Sequence, residues 1–173
     1  VLFRSLLSLS DGNQPELAGI SHDWPRLETT VTDHAGSFGA DVQGWAEQHL
    51  GLTLMPWQVR ALDGQLAYDE HGELLHRTSL VSTARQNGKT VALGSLVGWW
   101  LTEMPKIRGK KQTVLTTANR LDLAITLFDE IAPVLEARFG ASCVKAYGRN
   151  SVTMPDGSKW TVRAAKPSVG HGT

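Results

Sequence analysis

Val42, Trp45, Ala46, His49 and Leu50 recur at helical spacing, which predicts a helix starting near Asp41 and stopped by Gly51. Pro56, a residue favoured in a first helical turn, opens a second helix. It places Ala61, Leu62, Gln65 and Leu66 on one side and is expected to end near Tyr68, before a polar turn at 69–73. Residues 77–82 read as a short buried strand. The next helix, 89–101, carries Val91, Ala92, Leu93, Leu96, Val97, Trp99, Trp100 and Leu101 around nearly its whole circumference, so it should be buried on most sides. Gly94 and Gly98, one turn apart, would let another element come close. Adjacent tryptophans can form a base-stacking platform, but on such a helix core packing is the plainer reading.

Met104-Pro105 should stop that helix and leave Lys106, Arg108, Lys110 and Lys111 in a basic loop, either solvated or touching a phosphate backbone. Residues 112–117 read as a strand. Asn119 can cap the following helix, marked by Leu121, Ala124, Ile125, Phe128, Ile131 and Leu135, kinked or restarted at Pro133 and ended by Gly140. Strands at 151–154 and 159–163 flank the turn Pro155-Asp156-Gly157-Ser158. Trp160, Val162 and Ala164 alternate with Thr161 and Arg163, so one face of this hairpin is buried and the other wet. Residues 10–39 show no period and read as a loose arm, docked through Trp24-Pro25 or partly disordered. Strands alternating with helices predict an α/β fold with a mostly parallel sheet covered on both faces, still incomplete at the last residue.

Composition narrows this picture only a little. A chain of 173 residues is long enough for one domain with a core, and 41% apolar against 20% charged residues is the balance of a soluble globular protein. Lys plus Arg and Asp plus Glu both number 17, so no overall charge argues for nucleic acid or membrane. No apolar run is long enough to cross a bilayer. The lone Cys143 excludes an internal disulfide framework, fits a reducing compartment, and reads as a small packing residue beside a strand. His71 and His76 have no partners that would complete a tetrahedral metal set. Residues 1–5 resemble the in-frame translation of a sequencing-adapter end and are set aside from the fold.

The chemistry concentrates in Ser82-Thr83-Ala84-Arg85-Gln86-Asn87-Gly88-Lys89-Thr90. This is a phosphate-binding loop pattern, G-x-x-x-x-G-K-[ST], with Thr83 in place of the first Gly. Gly88 lets backbone N–H groups close around phosphate oxygens, Lys89 reaches the β- and γ-phosphates, and the Thr90 hydroxyl can hold Mg2+. A helix N-terminus behind the loop adds aligned N–H groups and a favourable dipole. The bland alternative is that Asn87-Gly88 is an ordinary reverse turn between strands.

With these residues in view, the chain resembles the N-terminal part of the ATPase domain of the terminase large subunit, the DNA-packaging motor of tailed bacteriophages. Arg85-Gln86-Asn87-Gly88-Lys89-Thr90 is similar to that family's Walker A variant, Leu54-Met55-Pro56-Trp57-Gln58 to the segment ahead of it, and Thr116-Thr117-Ala118-Asn119 to the next strand-to-helix turn. The likeness spans roughly 41–173, with 1–40 as an N-terminal arm. It implies a P-loop NTPase fold of the RecA/ASCE kind, truncated before the Walker B strand, with ATP and Mg2+ as cofactors. By the same likeness Lys89 contacts the β- and γ-phosphates, Thr90 ligates Mg2+, and the loop from Ala84 through Gln86, Asn87 and Gly88 cradles the phosphates. Gln58 would read the adenine edge, its amide supplying donor and acceptor together. Arg85 would set a guanidinium beside the γ-phosphate, or else pair with a carboxylate and fix the loop.

The resemblance further implies double-stranded DNA, a portal protein, a small terminase subunit and other copies in a ring as partners, in the cytoplasm of a bacterial host. Hydrolysis needs an Asp-Glu pair at the end of another strand, and after Gly140 the only acidic residue is Asp156 in the hairpin turn. In the family that pair should follow soon after a segment like 169–173, and a nuclease domain later still. The chain as given is therefore expected to bind nucleotide weakly without turning it over. Two other readings stay open: a helicase-type ATPase of the DEAD class, disfavoured by Arg85-Gln86-Asn87, and a non-hydrolysing nucleotide-binding module.

Overall fold

The computed structural model describes residues 25, 27–29, 33–84, 86–118, 121–146 and 150–164. The docking expected of Trp24, the Asn119 cap, and the segment 169–173 lie outside them. Strand β1 (Gly36–Ser37) leads into α1 (Gly39–Trp45), which runs on as a π-helical turn over Ala46–Leu50. Gly51, at φ 65°, ends it as the sequence predicts. Val42, Trp45 and Ala46 are the buried stripe. Helix α2 (Pro56–Gln65) starts at the expected proline but stops short of Tyr68. There the backbone turns aside as β2 (Ala67–Tyr68), antiparallel to β1 with Gly36 opposite Tyr68. Phe38, between β1 and α1, stacks on Tyr68 at 4.5 Å and Trp99 at 5.4 Å.

Residues 77–82 do not form the expected strand. They run without ladder partners among the described residues, and Leu80 is 91% exposed. Only Leu80 and Val81 of those six are apolar, too short a run to hold a buried strand in place unaided.

Helix α3 (Lys89–Thr102) is the axis of the molecule. Gly94, Ser95, Val97, Gly98, Trp99, Leu101 and Thr102 are buried, while Leu93 is 44% exposed. The two glycines act as expected. A side chain at Gly98 would overlap the Trp45 ring of α1, and one at Gly94 would stand 3.0 Å from Ile131. Trp99, 1% exposed, is core and offers no stacking platform. Met104-Pro105 does not end helical structure. After a break at Glu103, α4 (Met104–Arg108) follows with Pro105 in its first turn, where the missing N–H costs nothing. Lys106 and Arg108 are thus helical: Lys106 pairs with Glu103 at 2.9 Å and Arg108 lies 5.4 Å over the Trp100 ring.

The main sheet has the order β3-β6-β5-β4, from β3 (Thr113–Ala118), β4 (Ser142–Val144), β5 (Asn150–Thr153) and β6 (Lys159–Ala164). Only β3 and β6 are parallel, so the sheet is mixed rather than mostly parallel. Register puts Val114, Trp160 and Val152 in one row and Thr116, Val162 and Asn150 in the next. These face α5 (Leu121–Phe139), with Phe128 and Trp160 rings 5.3 Å apart. The other face carries Leu115, Lys159, Arg163 and Val144, all exposed. Among the described residues helices cover one face only, and the alternation in 160–164 already encoded that.

Pro133 does not restart α5, which runs unbroken through it. Its apolar face, Ala124, Leu127, Phe128, Ile131, Ala132 and Leu135, is buried throughout. Burial of roughly 1.5–3 kcal/mol per large side chain exceeds the ~3 kcal/mol cost of one helical proline. The hairpin turn is fastened by Asp156, whose carboxylate accepts the Ser158 N–H and hydroxyl, both at 2.8 Å. Ser158 Oγ in turn accepts the Gln112 N–H at 2.9 Å, tying the turn to the start of β3. Cys143 lies in β4, half-buried, and its thiol donates to the Ala132 carbonyl at 3.6 Å. Burial raises its pKa, so it stays a neutral packing residue.

Two predictions follow from the α1–α3–α5 contacts. Gly98→Ala should cost about 1–3 kcal/mol, since the methyl must displace the Trp45 ring. Gly44→Ala, with open space around it, should instead stabilise by up to about 1 kcal/mol. Urea melts separate them, and equal effects would contradict the close contact. His49 packs on Trp45 at 5.1 Å and Phe139 at 4.9 Å. Burial first, then the Arg138 charge, lowers its pKa from 6.5, with Lys106 adding to the effect and Glu103 opposing it. The unfolded chain then takes up this proton more readily, so the stability His49 confers is whole above 6.5 and is lost as pH falls through 6.5 toward the folded value. His49→Gln should flatten the loss of Tm between about pH 7 and 5, the range of histidine titration; an unaltered profile would contradict this.

Candidate phosphate-binding loop

Helix α2 and the start of α3 meet through one side chain. Met55 is extended, at φ −67° and ψ 151°, and Pro56 begins the helix behind it. Gln58, three residues past Met55, turns back so that its Oε1 accepts the Met55 N–H at 2.7 Å. This is the Gln half of a capping box, which satisfies a donor the helix start would otherwise leave free. The other end of the same amide, Nε2, donates to the Gly88 carbonyl at 2.7 Å. Gln58 is 2% exposed, so it is no ordinary surface helix residue.

Gly88 sits at φ 75° and ψ 20°, the left-handed region, immediately before α3. Glycine is needed there twice over. The conformation disfavours a side chain, and a Cβ would stand 2.7 Å from Gln58 Nε2. The Gly88 carbonyl also accepts from Val91 at 3.1 Å and Ala92 at 3.3 Å, the first bonds of the helix. The N–H groups of Lys89 and Thr90 precede those bonds and point out of the helix start. Gln86 also has a positive φ, 63°, which costs a non-glycine residue on the order of 1–3 kcal/mol.

The loop closes on itself ahead of the helix. Lys89 Nζ donates to the Thr83 carbonyl at 2.8 Å and the Ala84 carbonyl at 2.6 Å. Asn87 Nδ2 donates to Thr83 Oγ1 at 3.0 Å. Gln86, Asn87, Lys89 and Thr90 are all exposed. The fold thus joins Gln58 to Gly88, and Asn87 and Lys89 to Thr83 and Ala84, within one short loop, while Gln86 and Thr90 are exposed. Arg85 lies outside the described residues.

Sequence reasoning saw Thr83 only as a departure from glycine and missed what it does. Its hydroxyl and carbonyl are the acceptors that close the loop, the kind of local bonding short hydroxyl residues favour. It also missed that Gln58 binds backbone at both ends, although the Met55-to-Gln58 spacing carried the capping signal.

The other cationic feature lies at the far end of α3, where Lys106, Lys110, Lys111 and Asp156 line a shallow groove floored by Leu101 and Met154. Among the described residues, no three His, Cys, Asp or Glu side chains gather as a metal site. No described helix is long and apolar enough to cross a membrane. No family model, curated protein or solved structure matches the chain, so its function has to be read from these residues and their geometry.

Proposed function

We propose that the loop at 83–90 holds the phosphate chain of a nucleoside triphosphate, ATP by the family resemblance. The observation that carries this is the placement of Lys89 as first residue of α3, its ammonium turned onto two loop carbonyls at 2.6 and 2.8 Å. Those carbonyls are neutral acceptors, whereas a phosphate oxygen is anionic and adds charge–charge attraction to the bond. Exchanging one for the other is therefore downhill for Lys89. The Lys89 and Thr90 N–H groups, in the first turn of α3, would add donors there, backed by the positive end of the helix.

Thr90 brings one hard oxygen suited to Mg2+, whose remaining ligands would be phosphate oxygens and water. When bound, that ion neutralises charge on the β- and γ-phosphates. Arg85 is proposed as a further cation at the γ-phosphate. The wider reading, resting on 85–90 and 54–58, is the ATP-binding part of a terminase-type packaging motor. ATP hydrolysis would there be coupled to translocation of double-stranded DNA, with portal protein, small subunit and sister copies as partners in a bacterial host.

Lys89→Ala tests the core of this. Lys89 is exposed and makes two loop bonds, so its loss should cost folding about 1–3 kcal/mol. It should remove a charged hydrogen bond of about 1.5–3 kcal/mol and weaken MgATP binding roughly tenfold or more in calorimetric titration. Undiminished binding by the variant would refute the loop as the site.

A further inference from the structure

We propose that Gln58 is a positioning residue that sets the phosphate cradle, and that it does not read the base. This rests on the phosphate-loop reading above. An adenine edge would need one acceptor and one donor from the amide. Oε1 already accepts the Met55 N–H and Nε2 donates to the Gly88 carbonyl, each at 2.7 Å, and the one lone pair and one N–H left over are inside the protein. The side chain is also sealed, at 2% exposed. Turning it toward a base would break both bonds and strand the Met55 N–H.

What the amide holds is the peptide plane between Gly88 and Lys89. In a trans peptide the carbonyl and the following N–H point in opposite directions. Fixing the Gly88 carbonyl toward α2 and the helix therefore aims the Lys89 N–H out of the helix start, where a phosphate oxygen would lie. Gly88 needs such a hold because glycine samples many conformations, and the left-handed one seen here puts its carbonyl on Val91 and Ala92. Gln58 thus connects α2 to the phosphate loop without touching ligand.

The test uses three probes on the same chain: inorganic tripolyphosphate, MgATP and MgGTP. Gln58→Ala and Gln58→Glu should weaken all three by a common factor, roughly three- to tenfold for one neutral hydrogen bond, leaving the ATP-to-GTP ratio unchanged. Glu retains an acceptor for the Met55 N–H, loses the donor to Gly88 and, when ionised, sets a negative charge beside the cradle, so its affinity loss should be at least that of Ala on every probe. A collapse of that ratio with tripolyphosphate binding intact would overturn the proposal and assign Gln58 to the base. Wild-type affinities in both variants would overturn it as well. Failure of the unaltered chain to bind any probe would refute the phosphate loop itself, a distinct outcome. A wild-type measurement avoids any folding defect: the Gln58 side-chain amide resonances should move equally with tripolyphosphate and with MgATP. Movement with MgATP alone would contradict a purely positional role.

Discussion

The contact between the Trp45 ring and the bare backbone of Gly98 fixes α1 against α3, and the geometry of the loop follows from it. A side chain at Gly98 would occupy the space of the indole, so the two helices approach only because that position is empty. Helix α2 packs against both α1 and α3. It thereby carries Gln58 to the Gly88 carbonyl, thirty residues away in sequence. One turn earlier on the same face of α3, Gly94 admits Ile131 and Leu127 of α5, whose buried face covers the sheet. A helix seamed by two glycines thus takes α1 and α5 close against one face, and its N-terminus is held at a defined place and angle. Tight packing of this kind transmits small displacements rather than absorbing them.

The loop itself is held by weaker means. Its closure depends on hydrogen bonds from Lys89 and Asn87 to Thr83 and Ala84, all on an exposed surface. Such bonds contribute only about 0.5–1.5 kcal/mol each against water. A rigid helix start next to a lightly fastened loop suits a site that must rearrange around an anion. On the phosphate-loop reading, Lys89 is the cation for such a site and is kept beside the loop by its two bonds.

Most of the helices were legible because their signals are local. The glycine after Leu50, the proline at 56, the period of 121–135 and the Asp156-Gly157 turn each act within a few residues. The period-two pattern at 160–164 also announced a sheet buried on one face. The expectation of two covered faces came instead from counting strands and helices, and the pleat outweighed it. Residues 77–82 failed because strand formation depends on a partner, which six residues cannot specify. The restart expected at Pro133 does not occur because the cost of a helical proline is local while the burial that offsets it comes from Phe128, Ile131, Leu135 and the sheet below. At the loop, Gly88, Lys89 and Thr90 were visible as a motif, whereas the double engagement of Gln58 required knowing that α2 packs beside α3.

The most direct test of the phosphate-loop reading is amide hydrogen exchange at Lys89 and Thr90, with and without saturating MgATP. Their N–H groups have no acceptor within the helix and should exchange fast in the free protein, then slow markedly once phosphate oxygens accept from them. Unchanged exchange at both amides, with protection appearing instead around Lys106, Lys110 and Lys111, would place the anion in the groove at the far end of α3 and contradict the reading.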